Sequence, residues 1–140
     1  MLGRSSHPYD RSGPPCRLLL VSDRRAPSEA LRVHLAYHGF EILAHESSAP
    51  GAAEAARREQ PDVVLIDAAV PGGWQPIVAA LEGITPHERI AVLAAYWSSE
   101  GREAARRSGI GATLLKRVEG AELVTRLRSL AGLADALPSA

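Results

Sequence analysis

The chain has 140 residues with sixteen basic and sixteen acidic side chains, 46% hydrophobic and 23% charged, the proportions of one ordinary globular domain that can bury a core without staples. Zero net charge gives no electrostatic footprint for nucleic acid or an anionic membrane beyond local patches. The single Cys16 rules out an internal disulfide and a cysteine-based zinc site, and no apolar run approaches the roughly 18–20 residues of a membrane span.

In chain order, residues 1–16 carry Gly, Pro and Ser without periodicity and read as a disordered arm with no hydrophobic signal segment. The domain proper is expected over residues 17–131, with a tail over 132–140 ending near Pro138. Arg17–Ser22 is a short, almost wholly apolar run, as in a strand buried on both faces. Pro27 suits the first turn of a helix that carries Leu31, His34, Leu35 and His38 at helical spacing and stops at Gly39. Phe40–Ala44 reads as a second strand, and Gly51–Glu59 as an alanine-rich helix with small residues on one stripe. Val63–Asp67 is a third buried strand ending in a carboxylate. The turn 68–73 and a short helix around Pro76–Leu81 follow it. Arg89–Ala95 is a fourth strand, Ser98–Ser108 a polar helix closed by Gly109, and Ala112–Leu115 a fifth strand. The last helix, Ala121–Ala131, sets Leu123, Leu127 and Leu130 on one face. Strands alternate with helices five times and the strands are continuously apolar. The pattern predicts an α/β fold with a doubly wound, five-stranded parallel sheet.

In such a sheet the site lies beyond the carboxyl ends of the strands, near the switch in strand order. The polar residues at those ends are Ser22 and Asp23 after the first strand, Asp67 after the third and Lys116 after the fifth, with Ala94 and Ala95 after the fourth. Lys116 is the one lysine beside fifteen arginines, so its position carries unusual weight. Two carboxylates and this lysine converge on one edge. Neighbouring acids repel, and a hard divalent cation held by oxygens and water relieves them.

The segments LLLVSD, PDVVLIDAAVPGG and SGIGATLLK resemble the receiver domain of bacterial response regulators, a flavodoxin-like (βα)5 fold, over about residues 17–131. The resemblance implies that Asp67 is the phosphoacceptor and Asp23 a Mg²⁺ ligand. The backbone carbonyl of Ala69 would be a further ligand, and Lys116 the partner of the acceptor or its phosphoryl group. The sequence also departs from the family. Ser22 stands where the first of two adjacent acids is usual, and Ala94 stands where a hydroxyl residue normally ends the fourth strand. Thr113 replaces the aromatic switch residue, and Arg117 the proline after the lysine. Missing one acid, the site should bind Mg²⁺ weakly, and the chain resembles an atypical or degenerate receiver.

Each of these residues also has an ordinary structural use. Asp67 suits a turn before Pro-Gly, Lys116 a solvated surface, and Asp23 a helix cap. His34 and His38 share a helical face without an evident third ligand. Trp74 and Trp97 follow the third and fourth strands, as shields of the site or as exposed partner anchors. Arg102, Arg106, Arg107, Arg126 and Arg128 read as a solvated face, although the resemblance implies that the surface of the fourth helix, fifth strand and fifth helix meets partners, with Arg106 and Arg126 as candidate contacts. The functional expectation is a non-enzymatic, cytoplasmic, stand-alone receiver in a two-component phosphorelay. Its partner would be a histidine kinase or another signalling protein, with no direct nucleic acid or membrane contact. A homodimer through the Ser98–Ala131 face is the oligomer considered. The alternatives are a phosphorylation-independent pseudo-receiver and a small-molecule-binding flavodoxin-like domain. About nine residues follow the last helix, so output through a second protein is expected.

Overall fold

The computed structural model describes residues 15–23 and 29–132. Pro27, most of the N-terminal arm and nearly all of the tail with Pro138 lie outside the described residues. The elements are β1 (Cys16–Val21), α1 (Glu29–Tyr37), β2 (Phe40–Glu46), α2 (Ala49–Glu59), β3 (Val63–Asp67), α3 (Gln75–Ala80), β4 (Ile90–Ala94), α4 (Ser99–Ser108), β5 (Ala112–Leu115) and α5 (Gly120–Leu130). Five parallel strands lie in the order β2-β1-β3-β4-β5, the flavodoxin-like order, whose switch point lies between β1 and β3.

Alternation along the strands explains the two cores. Leu19, Val21, Val64, Ile66 and Val92 face one side and pack with α2, α3 and α4. Leu18, Leu20, Val63, Leu65 and Leu93 face the other and pack with α1 and α5. The all-apolar runs are thus apolar because both faces of the inner strands are covered. The alanine stripe of α2 (Ala52, Ala55, Ala56) is buried as the small side chains allow. Capping fixes the helix starts: Ser48 and Ser98 each accept from an amide three residues on, at Gly51 and Gly101.

Several boundaries differ from the sequence expectation. Cys16, assigned above to the arm, opens β1 as a fully buried residue, and Ser22 follows the strand. β2 runs two residues past Ala44, and apart from Phe40 its side chains are exposed or half-buried. It is an edge strand, so burial on both faces does not apply to it. Arg89 belongs to a short 3₁₀ turn, His87–Arg89, ahead of β4. Arg128 is not part of a solvated face. It is buried, donates to the His38 carbonyl at 3.1 Å and lies over the Phe40 ring at 5.3 Å.

Candidate functional site at the carboxyl edge of the sheet

Asp67 is the last residue of β3, and the turn behind it is tightly determined. The Val70 amide donates to the Asp67 carbonyl at 3.0 Å, and the Ala69 amide donates to Asp67 Oδ1 at 2.9 Å. Gly72 and Gly73 follow with φ of +86° and +84°, backbone that a side chain at Cβ would strain. The carboxylate is thereby held at the strand end, its side chain 16% exposed.

Lys116 reaches the same place from β5. Its amide continues the sheet by donating to the Ala94 carbonyl at 2.8 Å, and Nζ stands 3.1 Å from Asp67 Oδ1. The structure thus joins Asp67, the Ala69 amide and Lys116. Asp23 lies one residue beyond Ser22, whose preceding neighbour Val21 is in register with Ile66, next to Asp67. Topology therefore sets Asp23 beside β3 at the switch point, half-buried.

Ser22 holds what the sequence did not show. It is 2% exposed, its amide donates to the Glu46 carbonyl at 2.9 Å, and its Oγ is 2.6 Å from His45 Nε2. The hydroxyl standing at the usual acid position is engaged with β2. Only the added length of β2 brings His45 there, so a strand ending at Ala44 conceals the pair. Ala94 is 6% exposed and belongs to the core on the α2–α4 side.

Both tryptophans are buried shields. Trp97 donates through Nε1 to the Leu114 carbonyl at 2.9 Å, and its ring meets Trp74 edge-on at 6.1 Å between centroids. The exposed aromatic of that loop is Tyr96, at 77%. His34 and His38 pack edge to face at 4.4 Å, with His34 Nε2 pressed against Gly120. Among the described residues no group of three or more His, Cys, Asp or Glu is placed to hold a metal. Two carboxylates with retained waters still meet the needs of Mg²⁺, which dehydrates reluctantly.

The fold is matched across solved structures. The receiver domain of a response regulator, NarL, from Mycobacterium tuberculosis superposes with a TM-score of 0.75 at 21% identity, covering 86% of this chain and 98% of that one. The BeF3-activated receiver domain of RstA from Klebsiella pneumoniae gives 0.71 at 26% identity, over 82% and 97%. This chain has the fold of a response-regulator receiver domain. A receiver from the sensor histidine kinase PA1611 of Pseudomonas aeruginosa, with magnesium in its active-site cleft, has the same fold (TM-score 0.73, 21% identity, 84% and 98% covered). Among curated proteins this chain is 30% identical over 119 residues to a probable transcriptional regulatory protein, TcrX, of M. tuberculosis. It is 41% identical over 56 residues to PilH of P. aeruginosa. Those alignments take in 84% and 40% of this chain, which spans about half the length of the curated relatives it matches. No family model matches the sequence. Among the described residues no helix is long and apolar enough to cross a membrane.

Proposed function

We propose that this receiver is a cytoplasmic signalling module that accepts a phosphoryl group on Asp67 and acts through a second protein at the face formed by α4, β5 and α5. The observation that carries the reading is the 3.1 Å pair of Lys116 Nζ with Asp67 Oδ1 at the switch edge. A carboxylate so placed is a nucleophile with a fixed cation beside it. An Asp67 oxygen attacks the donor's phosphorus, the donor's P–N or P–O bond breaks, and the donor leaves with the electron pair of that bond. Lys116 then balances charge on the acyl phosphate. Asp23, Asp67 and the Ala69 carbonyl are the groups that would hold Mg²⁺. The bound ion would neutralise charge on the transferring oxygens. Ser22 is neutral and engaged with His45, so this site carries one carboxylate fewer than the family pattern and binds the ion weakly.

The same positions support reading the receiver as atypical. Ala94 has no hydroxyl to draw toward a phosphoryl oxygen, a charge-assisted bond of roughly 1.5–3 kcal/mol. Thr113 has no ring to follow it, and Trp97 already binds the β5 backbone. Moving a two-state element from 1:99 to 99:1 takes about 5.5 kcal/mol of differential binding. The face should therefore differ little with and without phosphate, which favours partner binding in both states.

Incubation with acetyl phosphate and Mg²⁺ should add one phosphoryl mass to the wild type and none to Asp67→Asn, with Lys116→Ala slower. Labelling that persists in Asp67→Asn removes the acceptor assignment. An NMR comparison of free and beryllofluoride-treated protein should confine large shifts to the Asp67 loop. Large shifts reaching residues 98–128 would restore a full phospho-switch.

A further inference from the structure

The far end of β2 departs from simple alternation. In an unbroken strand residues two apart share a face, yet Ile42 packs into the core against α1 and α5 while Ala44 packs into the opposite one. The pairing with β1 gives the reason. Leu18 stands opposite Ile42 and Leu19 opposite Ala44, so Leu43 is an extra residue, a bulge in β2. A one-residue slip turns over every side chain that follows it, and bulges serve to re-aim side chains.

The side chain re-aimed here is His45. It falls opposite Leu20, which faces α1 and α5, and Ser22, two residues past Leu20, has the same facing. Without the slip, Leu20 would meet Ala44, and His45 would lie opposite Val21 on the other side of the sheet. The bulge thus makes possible the 2.6 Å hydrogen bond between His45 Nε2 and Ser22 Oγ. With the 2.9 Å bond from the Ser22 amide to the Glu46 carbonyl, it ties a residue only 2% exposed to β2 by main chain and side chain together. Asp23 is the next residue, and β1 has already ended there.

We propose that His45 is a positioning residue for the ion-binding edge: by fastening Ser22 to β2 it fixes the backbone that carries Asp23. Backbone just past a strand end opens locally at little cost unless side chains hold it. A carboxylate on such a backbone has to be ordered when the ion binds, which lowers affinity. Groups behind a ligand that hold it in place spare that loss. The site has two carboxylates and no third, so little attraction is left over to order a loose ligand, and the preset position of Asp23 matters more. The inference rests on Asp23 being an ion ligand, as in the proposed function, and not on phosphorylation of Asp67.

The test titrates the full chain with Mn²⁺, a paramagnetic stand-in for Mg²⁺, and reads the free ion by electron paramagnetic resonance. Wild type should bind saturably, and Asp23→Asn should weaken binding at least tenfold. His45→Ala and Ser22→Ala should each weaken it about threefold or more. The double variant should lose no more than either, because all three break one bond. His45→Gln, whose amide nitrogen stands near the place of Nε2, should recover most of the affinity. Ile90→Val, a small cavity at the opposite edge of the sheet, should lower the melting temperature and leave the affinity unchanged. Before any ion is added, hydrogen exchange at the Ser22 amide should quicken at least fivefold in His45→Ala. Binding that depends on Asp23 but not on His45 overturns this proposal alone, as does an equal loss in Ile90→Val. Loss in His45→Ala without loss in Ser22→Ala would make His45 a direct ligand and overturn its positioning role. No saturable binding, or binding indifferent to Asp23→Asn, overturns the ion site of the proposed function and this proposal with it.

Discussion

Replacing Trp97 by phenylalanine tests how the β4–α4 connection is held to β5. The residue is 7% exposed, and its indole N–H serves the Leu114 carbonyl, which sits on a residue 3% exposed. Phenylalanine keeps an aromatic ring but has no donor, so that carbonyl loses the indole bond and keeps only its ladder partner in β4, a cost of about 1 kcal/mol. The smaller ring also loses part of its edge contact with Trp74 at 6.1 Å, a contact worth about 0.5–1.5 kcal/mol when complete. Together these predict that Trp97→Phe loses about 2 kcal/mol, and Trp97→Ala about 3–5 kcal/mol through the cavity it leaves. Urea unfolding followed by circular dichroism should show the midpoint falling by about 1 M with an unchanged slope. A double-mutant cycle with Trp74→Phe should return a coupling near 1 kcal/mol. Stability of Trp97→Phe within about 0.5 kcal/mol of wild type would refute the argument, since the indole bond and the ring contact would then contribute nothing to holding the connection.

Asp67→Asn keeps an Oδ1 for the Ala69 amide but removes the charge that Lys116 meets. With Lys116 41% exposed, thermal melts should place the variant within about 1 kcal/mol of wild type. Gly111→Ala should cost about 3 kcal/mol by the same measurement, because its Cβ would lie 2.1 Å from the Glu88 backbone carbonyl oxygen. Gly51→Ala should be neutral or stabilising by up to about 1 kcal/mol, since its close neighbour is the movable end of the Glu46 side chain. Burial, with Asp62 nearby and against the opposing effect of Arg128, pushes the Cys16 thiol up from 9.0 to about 12. The folded state therefore holds the proton more tightly than the unfolded one. This contribution to stability is complete below pH 9 and is lost as pH rises from 9 toward 12. Alkaline titration of unfolding should lose this component in Cys16→Ala, and iodoacetamide should label native Cys16 no faster than the chain unfolds.

The sequence alone determined the element order, because apolar runs of strand length alternate with helix patterns and the connections are too short for another winding. Val63–Asp67 and Ala112–Leu115 were legible to the residue, since a carboxylate and a lysine interrupt the apolar runs where the strands leave the core. It also placed Asp67 and Lys116 at one sheet edge, for in a parallel sheet all carboxyl ends point the same way. What it could not carry is anything that depends on which strands are neighbours. Pairing of β2 with β1 extends β2 to Glu46 and brings His45 to Ser22. Pairing of β5 with β4 carries Trp97 of the following loop to the Leu114 carbonyl, and the edge position of β5 turns Arg102, Arg117 and Arg126 into the walls of one groove. Arg128 lies two residues from Arg126 on the same helix, yet it is buried against Phe40 and the His38 carbonyl. Helical spacing assigns faces, but only packing against α1 and β2 decides which face is inside. Local periodicity fixes what forms. The contacts between distant segments fix what each side chain meets, and a sequence read position by position holds no record of them.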